Sequence, residues 1–162
     1  MKKVMIFIII LLIIVASIFL FLKLNPPLET IQNGSSLDGD VQLIRLGNKS
    51  SFGQIKIEEV FVNHNVTPAQ MKIQESYHPK GFMIPEQFEG QEETEYTFKD
   101  LSEVTIKPNT IAAEHFNHIE AGTITEDDTI YGLTLIHNET IYEVMITYRH
   151  LGIVYETTFS IE

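Results

Sequence analysis

Glu114, His115 and His118 are the residues whose types and spacing come closest to reactive chemistry. On a helix Glu114 and His118 meet at a separation of four, and His115 and His118 at a separation of three. Imidazole and carboxylate together suit a zinc-type ion. The order is neither His-Glu-x-x-His nor His-x-x-Glu-His, so both helical metallopeptidase motifs are missing. Glu120, Glu126, Asp127 and Asp128 supply further carboxylates, but nothing in the sequence brings them to the histidines. The competing reading is a polar helix face in water. It is the simpler one, and Glu114, His115 and His118 stand as weak metal candidates.

Other chemistries fare worse. The chain has no cysteine, which excludes disulfides, thiolate catalysis and cysteine-based zinc or iron–sulfur centres. It contains no Gly-x-Ser-x-Gly, Ser-x-x-Lys, P-loop or Gly-x-Gly-x-x-Gly pattern. Glu86, Glu89, Glu92, Glu93 and Glu95 crowd one stretch without the Asp, Asn and Gly turn chemistry of a calcium loop. Asp38-Gly39-Asp40 resembles a fragment of such a loop but lacks its closing glutamate. His64, His78, His137 and His150 fall in expected loops and turns. Asn48, Asn65 and Asn138 head glycosylation-type tripeptides, which matter only in a eukaryote. The expectation is a non-enzyme with no cofactor.

The elements that would position these residues are mostly strands. Ile153, Tyr155, Thr157, Phe159 and Ile161 alternate with Val154, Glu156, Thr158 and Ser160. Tyr142, Val144, Ile146 and Tyr148 alternate in the same way, as do Tyr131, Leu133 and Leu135. Short connections between these runs predict a three-strand antiparallel meander over 129–161. Between 54 and 62 the apolar phase changes, from Ile55 and Ile57 to Val60 and Val62, which predicts a bulge. Residues 41–46, 71–74, 96–98 and 104–106 are further strands. The segment 109–122 departs from this pattern. Ile111, Ala112, Phe116 and Ile119 fall near one helical face, with Asn109 at the start and Gly122 at the stop. Seven to eight strands without a βαβ rhythm predict an all-β, mainly antiparallel domain, an immunoglobulin-like β-sandwich ahead of a small barrel.

The chain as a whole has 162 residues and a formal charge of −11. Residues 4–22 carry no charge and span about 28 Å as a helix, close to the ~30 Å hydrocarbon core of a bilayer. Lys2 and Lys3 precede this stretch and only Lys23 follows, so the positive-inside rule puts the N-terminus in the cytoplasm. A cleaved signal peptide is the competing reading, but the small pair Ala16-Ser17 lies inside the apolar run. The expected organisation is a transmembrane anchor over 1–24, a flexible tether over 25–40 and an extracytoplasmic domain over 41–162. Beyond Lys23 the chain has eight basic against 22 acidic residues, a net of −14. That balance excludes phosphate-driven nucleic-acid binding. The expected function is a non-catalytic, membrane-anchored binding or accessory module of a bacterial cell, held in the membrane by its N-terminal helix and meeting a protein or cell-envelope partner. The alternative is an extracytoplasmic metal-dependent protein or hydrolase using Glu114, His115 and His118.

Overall fold

A computed structural model of the chain describes residues 2–76, 81–85, 87–88, 96–111, 118, 121–123 and 128–161. The apolar run lies within one 23-residue helix, α1 (Lys2–Leu24), whose side chains are exposed around nearly its whole circumference. Among the described residues it is the one helix long and apolar enough to cross a membrane. Asn25 ends it, donating from its side-chain amide to the Phe21 carbonyl at 2.8 Å. Pro26 and Pro27 then forbid continuation.

Eight strands follow among the described residues: β1 (Leu28–Ser35), β2 (Val41–Asn48), β3 (Ile55–Val62), β4 (Gln70–Ser76), β5 (Thr97–Lys99), β6 (Ile130–Ile136), β7 (Glu143–His150) and β8 (Ile153–Ser160). They form two sheets, one of order β1-β2-β6-β4-β5 and one of order β3-β7-β8, and every pairing is antiparallel. The core lies between the sheets. Ile44, Leu46, Ile73, Tyr131, Leu133 and Leu135 come from the larger sheet, and Ile55, Ile57, Val60, Val144, Ile146 and Tyr148 from the smaller.

The expected bulge is present: the β3–β7 register shifts between Ile57 and Glu59, where the apolar phase changes. Besides residues 104–106, which form no strand and make only the isolated Ile55–Ile106 bridge, two expectations are corrected. Residues 25–40 are not a tether, because 28–35 is β1, paired with β2 from Leu28↔Asn48 to Ser35↔Gln42. Only Asn25, Pro26 and Pro27 separate helix from sheet. Residues 36–40 are the β1–β2 turn, closed by Ser36 N–H to Val41 O at 3.0 Å and by the Ser36 hydroxyl to Asp40 Oδ1 at 2.5 Å.

The three-strand meander is the second correction. β7 and β8 make the expected hairpin, but β6 belongs to the other sheet, between β2 and β4. The reason lies on the outer face of β6. Ile130, Gly132 and Thr134 are buried as well as Tyr131, Leu133 and Leu135. Residues 82–84 run across that face. A Cβ on Gly132 would stand 2.9 Å from the Phe82 ring, so any larger residue would force that ring to move. Gln74, fully buried, donates to Met83 O and to Thr134 Oγ1, each at 2.6 Å, and accepts from Met83 N–H at 3.1 Å. A strand covered on both faces belongs at the centre of a sheet.

Strand direction sorts the connections into two ends. At the end next to α1 lie 25–27, the loop 49–54, residues 107–110 and the turn Leu151-Gly152. Leu28 stands opposite Asn48 there, and Ile55 opposite His150. At the far end lie 36–40, 63–69 and 137–142.

Candidate functional site

The far end carries the most unusual local geometry. Asn63, His64 and Asn65 are all left-handed, with φ of 41°, 57° and 67°. Left-handed backbone costs an ordinary residue about 1–2 kcal/mol, and Asn and His tolerate it better than most. The run is held between Val62 and Val66, whose N–H and C=O groups exchange two hydrogen bonds of 2.8 Å. Asn63 then ties the loop to its neighbour. Its amide donates to Thr140 O at 2.8 Å, and its carbonyl oxygen accepts from Tyr142 N–H at 3.0 Å and Glu143 N–H at 3.4 Å. Thr140 in turn donates to Asp38 O at 2.9 Å. Three loops from both sheets are therefore fastened into one surface.

That surface presents an aromatic pair. The Tyr142 hydroxyl is 2.8 Å from His64 Nδ1, and the two rings meet edge to face with centroids 5.8 Å apart. In the sequence Tyr142 is in phase with the core residues Val144 and Ile146. In the fold Ile141 takes the buried position and Tyr142 is 47% exposed. Leu37 and Val66 are exposed nearby in the same set of loops. Asp38, Asp40 and Glu139 give these loops a negative charge, with no lysine or arginine among 36–40, 63–69 and 137–142. A cleft of about 520 Å³ opens beside them, lined by Leu37, Asp38, Asp40, Ile84 and Pro85 among others. The sequence signal for this site is the run Asn63-His64-Asn65, three residues of two types that accept left-handed backbone.

Of the metal candidates, Glu114 and His115 lie outside the described residues, as do Glu120, Glu126, Asp127 and residues 112–117 of the expected helix. His118 is described. Its Nδ1 is 2.5 Å from Asp128 Oδ1. Gly122 has φ of 65°, and Thr123 N–H donates to His118 O at 2.9 Å, the bonding of a helix stop around a left-handed glycine. Among the described residues no three His, Asp or Glu side chains come together as a metal site. The glutamates 86, 89, 92, 93 and 95 and His78 also lie outside the described residues.

His150 is no solvated turn residue. It ends β7, is 2% exposed, and its Nε2 is 2.8 Å from Phe52 O. A carbonyl only accepts, so Nε2 carries the proton. Asn48 is fully buried and donates to Gly53 O and Ile106 O, which removes it as a glycosylation acceptor. Burial disturbs the protonation of four groups on the strands. Arg45 is pushed down, Tyr131 and Tyr155 are pushed up, and Tyr148 is pushed up to about 12. A groove beside the β3 bulge holds Glu58, Glu59 and Asp100, of which Glu58 pairs with Arg149 at 2.8 Å and Asp100 with Lys72 at 2.7 Å. Comparison with models of known protein families and with curated proteins finds no match to this chain.

Proposed function

We propose that the protein is a non-catalytic binding module of immunoglobulin-like form, held outside the cytoplasmic membrane by an uncleaved α1, which recognises a partner through its far loops. The observation that carries this reading is the placement of anchor and loops at opposite ends of the strands. The fastened loops Ser36–Asp40, 63–66 and 137–142 point away from the end where α1 enters. Rigid loops at the end of a sandwich are a common recognition surface. The sheet order supports the immunoglobulin-like assignment: β1-β2-β6-β4 beside β3-β7-β8 corresponds to the constant-type arrangement with β5 added at one edge. The acidic loops favour a partner with a basic surface, since complementary charge steers encounter.

The test is photo-crosslinking from position 142 in intact membranes of the producing cell. A discrete adduct that weakens with rising salt and is lost in Asn63→Ala is the expected result. No adduct at 142, with adducts forming from the β8 face instead, rejects the far loops as the recognition surface.

A second reading, a metal-dependent protein, draws on the His118–Asp128 pair. A carboxylate on one imidazole nitrogen is how metal-ligating histidines are commonly oriented. Stoichiometric zinc in the purified protein, with melting lowered by EDTA and by His115→Ala with His118→Ala, would establish it.

A further inference from the structure

We infer that the end of the β-domain next to α1 is a membrane contact, in which Phe52 and Leu151 enter the headgroup layer of the bilayer that α1 crosses. The inference rests on the reading of α1 as an uncleaved anchor, and it concerns the end opposite the proposed recognition loops.

Phe52 is 76% exposed and Leu151 is 53% exposed, although each lies in a tight, well-bonded turn. The His150 imidazole holds the Phe52 carbonyl, and the Ser50 hydroxyl donates to the same oxygen at 2.8 Å. Asn48 fixes both ends of the loop, accepting from Ser50 N–H at 3.0 Å and donating to Gly53 O at 3.0 Å. Leu151 has φ of 49°, an uncommon conformation for leucine, so the turn displays an apolar side chain at a position that favours glycine or asparagine. The two turns adjoin: a Cβ on Gly53, next to Phe52, would stand 2.6 Å from Leu151 Cδ2. Two exposed apolar side chains thus sit on adjoining, well-bonded turns.

What covers them follows from the anchor. Three residues separate α1 from β1, and three extended residues reach at most about 10 Å. Even that reach is restricted. Lys49 N–H, in the Phe52 loop, donates to Pro27 O at 2.9 Å. The Tyr155 hydroxyl donates to Leu22 O at 3.0 Å, joining β8 to the last turn of α1. Phe21, Leu22 and Leu24 face Lys49, Ser50 and His150 across a shared cleft of about 410 Å³. The headgroup layer on each side of a bilayer is about 5–8 Å deep, so a domain fastened to the final helical turn cannot hold this end clear of it. Lys49 and Lys107 lie at this end, and its connections 25–27, 49–54, 107–110 and 151–152 hold no acidic residue, so local charge can add to the contact on anionic lipid. A net of −14 beyond Lys23 offers no general attraction to anionic lipid. Contact is made by apolar tips, the way aromatic and aliphatic side chains sit at an interface, and it does not require anionic lipid.

The absence of native cysteine makes the test direct. Full-length protein carrying Phe52→Cys, Leu151→Cys, Leu37→Cys or Leu12→Cys is labelled with an environment-sensitive fluorophore. Each is reconstituted in phosphatidylcholine vesicles containing nitroxide lipid. The expected result is a blue shift and loss of emission at 52 and 151, loss at 12 to a quencher deep in the acyl chains, and no loss at 37. These losses persist in high salt. Quenching at 12 with 52 and 151 no more quenched than 37 overturns the membrane contact and leaves the anchor standing. Quenching at 37 equal to that at 52 means the domain lies flat, which also overturns it. No quenching at 12 rejects the anchor, and the contact with it.

Discussion

Asn63 closes three hydrogen bonds with one amide while holding a left-handed backbone, and the far loops depend on it. Asn63→Ala removes all three and leaves part-buried backbone groups unpaired, so we expect a loss of about 1–2 kcal/mol. Asn63→Asp keeps both acceptor bonds and should lose less, a difference that urea denaturation of the two variants will resolve. Tyr148 gives a pH signature. It is fully buried, and burial pushes its phenol up to about 12. Between pH 10 and 12 the unfolded chain gives up the phenolic proton while the folded chain keeps it. Stability is therefore level below pH 10 and falls above it, by about 2–3 kcal/mol by pH 12. Tyr148→Phe should flatten this alkaline limb in melts taken across that range. Tyr131 and Tyr155 shift in the same direction, so part of the decline stays. None of these roles was legible in the sequence. The partners of Asn63 stand 77 to 80 positions away, and those of His150 stand 98 away.

Elements were legible where one face is buried and the other wet. β8 exposes Val154, Glu156, Thr158 and Ser160 and half-buries or buries Ile153, Tyr155, Thr157 and Phe159, and its alternation could be read directly. The β3 bulge could be read for the same reason. β6 misled because its second face is also buried, under residues 82–84 that lie over 40 positions away. β1 was hidden because Leu28 is its one buried residue and Asn33-Gly34 interrupts it with turn residues at a register shift. The missed strand changes what a stable fragment must contain. A chain starting at residue 37 leaves β2 without its edge neighbour and uncovers Ile44 and Leu46, so it should melt well below one starting at residue 25. Circular dichroism melts of the two fragments decide this, and equal melting temperatures reject a structural role for β1. Removing 153–162 should abolish cooperative melting, because it strips the Tyr155 ring from its stack on Tyr148 at 5.2 Å and leaves β7 at an edge.

At the scale of the molecule, what the sequence withheld was the joint between helix and domain. Asn25, Pro26 and Pro27 read as the start of a loose linker, yet Lys49 and Tyr155 bond across them to Pro27 and Leu22. On the reading proposed above, this stiffness serves recognition by presenting the far loops in one orientation. Inserting six Gly-Ser residues after Pro27 should leave the melting temperature of the β-domain unchanged and reduce crosslinking from position 142. Undiminished crosslinking would show that orientation is irrelevant.

If the membrane contact inferred above holds, the short joint also acts as a ruler. Strands of eight residues rise about 26 Å, so with one end seated at the bilayer the Tyr142 surface stands at a fixed altitude above the lipid. A partner surface much closer to the membrane or much farther out is out of reach, whatever its chemistry. Selection by height would then precede selection by contact, and lengthening or shortening β2, β3, β6 and β7 together would retune it.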